Sequence, residues 1–259
     1  MKCPNCQSTN IRKHGFYRAR QRYQCKDCAR QFVEYHRPNC QQTSTGVEDR
    51  IDRYIASVST PPDDLLLNLQ RDTVDYPLAQ MQPTLAQAQL IALLMRSIAA
   101  SRVLEIGIFS SYTTLALALA LPPQGQLISS GVAGRHLDIS RAYWQQGGVT
   151  TQIDLQVGSG LELLDRLLIL DLVPAFDLIT IYGLKHQYPS YQRAIELLRP
   201  RGLLVTTDVF WQGRVLNPDT YNDEFTLGID RFNRQLVTDP RVSVSVIPIG
   251  DGMSIAIKL

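Results

Sequence analysis

The stretch Arg102 to Leu121, RVLEIGIFSSYTTLALALAL, constrains this chain most, because it reads as a strand, a tight turn and a helix in immediate succession. Val103, Leu104, Ile106 and Ile108 form the short, nearly continuous apolar run of a parallel strand buried on both faces, and Gly107 breaks it. Ser110 is the expected N-cap. Tyr112, Leu115, Ala116 and Leu119 then recur at helical spacing, so the helix directs its N-terminal amides back towards the glycine turn. Such a unit can hold a nucleotide-like ligand. It can equally be the ordinary first βα unit of an α/β domain, since one glycine turn is a weak signal.

The pattern continues on both sides. Leu85 to Ala100 reads as a helix leading into the central strand. After it come strand Gln126 to Ser130, helix Arg135 to Gln146, strand Ile153 to Val157, helix Leu161 to Leu170, strand Phe176 to Ile181, helix Ser190 to Leu198 and strand Leu203 to Thr207. Repeating βα units of this length imply an α/β domain, a parallel sheet with helices on both faces. A helix from about Thr226 to Val237 and strands Val242 to Ile249 and Met253 to Lys258 complete the chain.

The first 37 residues differ in kind. The net charge of +2 hides an uneven distribution: Lys2, Arg12, Lys13, Arg18, Arg20, Arg22, Lys26, Arg30 and Arg37 stand there against only Asp27 and Glu34, so the remainder is acidic. Polyanion binding, if the chain has any, belongs to this head. Cys3, Cys6, Cys25 and Cys28 make two Cys-x-x-Cys knuckles separated by 18 residues, the spacing of a four-thiolate zinc site. Zinc would supply folding energy that so short a segment cannot draw from a core. Gly15 with Phe16, Tyr17, Tyr23 and Phe32 fits a small β ribbon around it. Arg18, Arg20, Arg22 and Lys26 among the aromatics favour phosphate contact; a module for protein contact, or for stability alone, is the other reading.

Residues 38–46 read as a polar linker, in which Cys40 is expected to be a free thiol. Beyond it Val47, Ile51, Ile55 and Val58 are spaced as one face of a helix that Pro61-Pro62 stops, and Asp63 and Asp64 can start the next. The organisation expected is a ribbon over 1–37, a linker over 38–46 and a second domain over 47–259. No apolar run approaches the roughly 20 residues of a membrane span, and MKCPNC lacks the apolar core of a signal peptide. A cytoplasmic protein is expected, where paired cysteines favour metal over disulfide.

Five segments, MQPTLAQAQ, VLEIGIFSSY, FDLITIYGLKHQY, VTTDVFWQGRV and PIGDGMSIA, resemble the class I methyltransferases that use S-adenosylmethionine (SAM), and among them the cation-dependent O-methyltransferases of the caffeoyl-CoA and catechol type. The resemblance runs from about Val47 to Leu259. It implies a Rossmann-like seven-stranded sheet with one antiparallel strand, N-terminal helices that pack on the catalytic domain and contribute to a homodimer contact, and a SAM site that includes Glu105, Gly107, Tyr112 and Thr113. The segment CPNCQSTNIRKHGFYRARQRYQCKDCARQF is similar to the zinc ribbon at the head of some insertion-sequence transposases, which implies nucleic-acid contact.

The same resemblance marks departures. A carboxylate is expected at the end of the second strand, to accept both ribose hydroxyls of SAM; Gly131 stands there, and Val132 and Ala133 cannot replace it. Losing those bonds costs ~1.5–3 kcal/mol, roughly ten- to a hundredfold in affinity. The cation of this chemistry, usually Mg²⁺, is held by two Asp and an Asn; the matching positions are Tyr182, Thr207 and Asp208, so tight Mg²⁺ binding is not expected. Lys185 matches the family's general base, with His186 beside it and Tyr188 following as in the pattern. Trp211 and the loop to Asn222 resemble the insertion that covers a planar aromatic acceptor. Three readings follow: a ribbon fused to a methyltransferase whose cation chemistry is impaired; a metal-independent O-methyltransferase of a small aromatic acceptor acting through Lys185, His186 and Asp208; or a non-enzymatic regulator or scaffold that binds nucleic acid or protein.

Overall fold

The computed structural model describes residues 6, 8–17, 20–29, 31–33, 54–55, 57–73, 82–108, 111–131, 135–170, 175–182, 188–217 and 219–259. The chain divides into two compact units, Met1–Thr43 and Ser44–Leu259. No helix among the described residues is long and apolar enough to cross a membrane.

The first unit contains three antiparallel strands, β1 (Ile11–Tyr17), β2 (Arg20–Cys25) and β3 (Gln31–Val33), in that spatial order. Ile11 pairs with Cys25, and Tyr23 pairs with Phe32. The turn after β2 is fastened to the loop before β1: the Lys26 amide donates to the Asn10 carbonyl at 2.8 Å, and the Asn10 amide side chain and the Ser8 hydroxyl both donate to the Asp27 carboxylate.

The second unit begins with the helical residues Tyr54, Ile55, Ser57 and Val58. Ile55 and Val58, two of the four residues of the expected apolar stripe, are exposed, and the other two lie outside the described residues. Two helices follow, α1 (Asp64–Thr73) and α2 (Leu85–Ser97). The Asp63 carboxylate accepts the Leu65 amide at 2.8 Å, so the acidic pair does start a helix. At α2 a reciprocal cap forms. Thr84 accepts the Gln87 amide at 3.2 Å, while the Gln87 side chain accepts the Thr84 amide at 2.8 Å.

The alternating segment then runs β4 (Arg102–Ile108), α3 (Tyr112–Ala120), β5 (Gln126–Gly131), α4 (Arg135–Gln146), β6 (Ile153–Val157), α5 (Gly160–Ile169), β7 (Phe176–Ile181), α6 (Tyr188–Leu197), β8 (Leu198–Thr207), α7 (Glu224–Thr238), β9 (Val242–Ile247) and β10 (Met253–Lys258). The sheet order is β6-β5-β4-β7-β8-β10-β9. Strands β4 to β8 are parallel, and β10 is antiparallel to both of its neighbours. This is the Rossmann-like α/β sheet with one reversed strand. Side chains of β4 alternate between two cores, with Val103 in one and Leu104 and Ile106 in the other, as the buried run requires. Core residues of α1 to α4 share the first core with Val103; those of α5 to α7 share the second.

Two boundaries differ from expectation. β8 begins at Leu198 rather than Leu203, because Phe176 pairs with Leu198 before a register shift lets Leu178 meet Leu203. Within that irregularity Arg201 has φ of +62°, and a Cβ on Gly202 would approach the Arg199 carbonyl to 2.9 Å, so glycine is needed there. The helix after β4 starts later than expected. Its cap is Ser111 rather than Ser110, which lies outside the described residues, and the Ser111 side chain makes no capping bond.

Candidate active site

In an open α/β sheet, ligands bind at the carboxyl ends of the strands where the strand order reverses, here beside β4 and β7. Gly107 has φ of +97°, and the β4 to β5 register slips there, from Ile106 opposite Ser130 to Ile108 opposite Gly131. The slip is a bulge, and it turns the chain towards α3. Ser111 takes the left-handed conformation, φ 55° and ψ 16°, in a buried position where a glycine would be unstrained.

A polar layer lies across three strands at this end. Glu105 stands in register with Ser129 on one side and Thr180 on the other. Its carboxylate is fully buried and accepts three hydroxyls: Thr113 at 2.8 Å, Thr114 at 2.7 Å and Ser129 at 2.8 Å. Glu105 thus joins the first turn of α3 to β4 and β5. Burial raises its carboxyl above the ordinary 4.5, against the three hydroxyls that favour the charged form. A raised carboxyl contributes stability that is complete below its ordinary value and is lost as pH rises through the folded-state value. Glu105→Gln, which never ionises, should therefore gain in stability on the wild type between about pH 5 and about pH 8. Denaturant melts of both proteins across that range check this, and a pH-independent difference between them would refute it.

Near Glu105 stands Tyr182. Its amide donates to the Ile106 carbonyl at 2.9 Å, and its ring belongs to the apolar core shared by α2 and α3. Burial first, and then the negative charge of Glu105, raises its phenol far above the usual range, so the group is a neutral donor at all working pH. Burial also pushes the Tyr112 phenol up to about 12. At the end of β8, Thr207 is fully buried and donates to Asp208 at 3.2 Å, and Asp208 has φ of +52°. The loop beyond it is clamped to the turn between β9 and β10. Phe210 donates its amide to the Asp251 carbonyl at 3.0 Å, Gln212 its amide to the Asp251 carboxylate at 2.6 Å, and a Cβ on Gly252 would strike the Phe210 ring at 2.7 Å. Trp211 stacks on Phe225 at 6.0 Å, and Arg214 lies over Tyr221 at 5.5 Å.

Of the residues that sequence reasoning assigned to this site, Glu105, Gly107, Tyr112, Thr113, Gly131, Tyr182, Thr207 and Asp208 lie at these strand ends or in the first turn of α3. Lys185, His186, Val132 and Ala133 lie outside the described residues. Asp138 is exposed on α4, with Arg141 its partner at 3.9 Å. Three groups were missed: Ser111, Ser130 and Thr180 each bury a hydroxyl that has no hydrogen-bond partner among the described residues. Orphaned hydroxyls are costly unless a ligand engages them, and they suit the amino, carboxylate and ribose groups of a nucleoside-amino-acid cofactor. The signal was available as polar residues ending otherwise apolar strands. Gly131 offers no such group. A Cβ there would meet the Ile108 Cβ at 2.9 Å.

The first unit has a separate candidate site. The sulfurs of Cys6, Cys25 and Cys28 all lie within 4.8 Å of one another, with Cys6 and Cys25 3.5 Å apart, and none is in a disulfide. Thiolates about 2.3 Å from one tetrahedral zinc sit about 3.8 Å apart, so this donor set fits that ion. Cys3 and Cys40 lie outside the described residues. Asp27, between the last two cysteines, is held below the usual carboxylate range by the Ser8 hydroxyl and the Asn10 amide.

Residues 56–259 match the sequence model of a family described as O-methyltransferase. Catechol O-methyltransferase domain-containing protein 1 of Mus musculus is 35% identical over 208 residues, covering 80% of this chain and 79% of that protein. Tricin synthase 1 of Oryza sativa subsp. japonica is 30% identical over 223 residues, covering 82% and 88%. Among solved structures, the O-methyltransferase TomG from Streptomyces achromogenes in complex with SAM superimposes with a TM-score of 0.73 at 27% identity, over 83% of this chain and 99% of that one. The Bacillus cereus O-methyltransferase in complex with SAH gives 0.71 at 26% identity, over 81% and 97%.

Proposed function

The chain belongs to the SAM-dependent O-methyltransferase family, and on that footing we propose that it is a member that retains the cofactor's framework and has given up cation-dependent methyl transfer. One observation carries this reading: Tyr182 and Thr207, both buried and neutral, occupy positions where the family resemblance places metal-binding carboxylates, leaving Asp208 as the single anion. Mg²⁺ sheds its waters reluctantly and binds through anionic oxygen, so this donor set does not fit it. No step of the chain's chemistry is assigned to a divalent ion.

SAM fits better. When bound it supplies an electrophilic methyl group on a sulfonium. Gly107 would allow the backbone to approach it, and the hydroxyls of Ser111, Ser130 and Thr180 would gain partners. Glu105 acts one layer below, holding the start of α3 against β4 and β5. The N-terminal ribbon holds a structural Zn²⁺ through Cys3, Cys6, Cys25 and Cys28 in this reading, supported by the three described sulfurs.

Calorimetric titration of the full-length protein with SAM tests the proposal. Binding should be measurable, weaker than a ribose-binding carboxylate would give, and the same with or without Mg²⁺. Gly131→Asp alone should not strengthen it, because its Cβ would crowd Ile108. Gly131→Asp with Ile108→Ala should strengthen it about ten- to a hundredfold. Absence of SAM binding in both the wild type and the double variant would refute the retained framework.

A further inference from the structure

A cavity of about 510 Å³ lies on the outer flank of the sheet, between the last turns of α4 and edge strand β6. It is distant from the strand ends just described, since it meets β6 at Ile153 and Leu155, in the half of the strand away from Val157. Ile153 and Leu155 project from one face of that strand and form an apolar floor with Trp144. Arg141, Gln145 and Thr150 are exposed and make a polar rim. The volume is within the range of small-molecule sites.

Two features point to what would fill it. Trp144 is 3% exposed, and its indole N–H has no acceptor among the described residues. A buried donor of this kind is satisfied only by an acceptor brought from outside. Arg141 is held loosely, its ion pair with Asp138 spanning 3.9 Å between well-exposed side chains. Arg141 is also the only cation among the lining residues, which suits a single negative charge rather than a phosphate dianion. The end of α4 does not oppose an anion strongly, because the carbonyls of Tyr143, Trp144 and Gln145 are taken by the amides of Gly147, Val149 and Gly148.

The geometry points to a binding site for a small monocarboxylate with an aromatic or branched apolar body. Its carboxylate meets the Arg141 guanidinium and the Trp144 indole N–H, and its body lies on Ile153 and Leu155. Nothing in this site takes part in the methyltransferase reading.

The test is nuclear magnetic resonance of the zinc-loaded, full-length protein. It has two tryptophans, Trp144 and Trp211, and Trp211→Phe assigns the two indole N–H signals. Sodium benzoate, phenylacetate and 4-methylpentanoate are the probes. At least one should move the Trp144 indole proton downfield and saturably at millimolar concentration or below. Arg141→Ala, and the neutral amide of the same acid, should each weaken that response about tenfold. No saturable shift with any of the three acids would overturn the proposal, as would equal affinity for acid and amide. A Trp144 signal that moves with protein concentration alone would assign the cavity to a second copy of the chain instead.

Discussion

Cys25→Ser is expected to empty the N-terminal ribbon of metal, taking bound zinc from one equivalent per chain to near none. Cys25 is fully buried at the end of β2, and its sulfur lies 3.5 Å from that of Cys6. A hydroxyl there is a poor zinc ligand, and three strands of this size have no core that could replace the ion. Structural zinc contributes about 10–16 kcal/mol to the folding of such modules, so the loss is all-or-none rather than graded. Elemental analysis of both proteins measures it, and equal zinc in the two would remove Cys25 from the site. If the basic head contacts nucleic acid, Cys25→Ser should abolish that binding as well, and in the wild type the affinity should fall steeply as salt rises. A wild type that binds neither DNA nor RNA at low salt would mark the ribbon as a protein-contact module.

The second large effect concerns the dismantled cation site. Mg²⁺ should leave the melting temperature of the wild type unchanged. The combined variant Tyr182→Asp, Thr207→Asp and Asp208→Asn should melt well below the wild type without metal. It loses an aromatic ring from a packed core, at about 3–5 kcal/mol, and gathers new carboxylates around the buried Glu105. Mg²⁺ should then recover part of that loss, about 2.7 kcal/mol when present at a hundred times its dissociation constant. Thermal melts with and without Mg²⁺ separate the two behaviours. A wild type that Mg²⁺ stabilises, or that methylates a catechol briskly only when Mg²⁺ is present, would overturn the reading.

The sheet was legible because its signals are local. Apolar runs such as Val103 to Ile108 and Phe176 to Ile181 differ in period from the helices between them, and the glycine at 107 marks the turn that its φ of +97° confirms. Boundaries failed where tertiary forces overrode composition. Leu198 to Gly202, LRPRG, has the residues of a turn, yet pairing with β7 draws it into β8. Nothing in Ser110-Ser111 says which of the two will cap the helix, since Ser111 is held left-handed by its surroundings and not by preference. The candidate site was legible only in part. Glu105, Gly131, Tyr182 and Thr207 could be named from their segments. The hydroxyl cage on Glu105 draws Ser129 from a neighbouring strand and Thr113 and Thr114 from a helix, a juxtaposition that only the register creates. The crowding of Gly131 by Ile108 has no sequence signature at all.

The bond from the Gln87 side chain to the Ile249 carbonyl, 2.9 Å long between residues 162 positions apart, bears on the order in which the molecule is made. Gln87 also packs against Gly250, and the turn that contains Gly250 is the one that grips Phe210 and Gln212. Strand β10, the last synthesised, inserts between β8 and β9. A nascent chain halted before Met253 therefore exposes one edge of β8 and leaves the Thr207–Asp208 end of that strand without its brace. The upper wall of the site assembles only when the carboxyl terminus leaves the ribosome, so the earliest helix of the cofactor domain must wait for the latest strand to complete it.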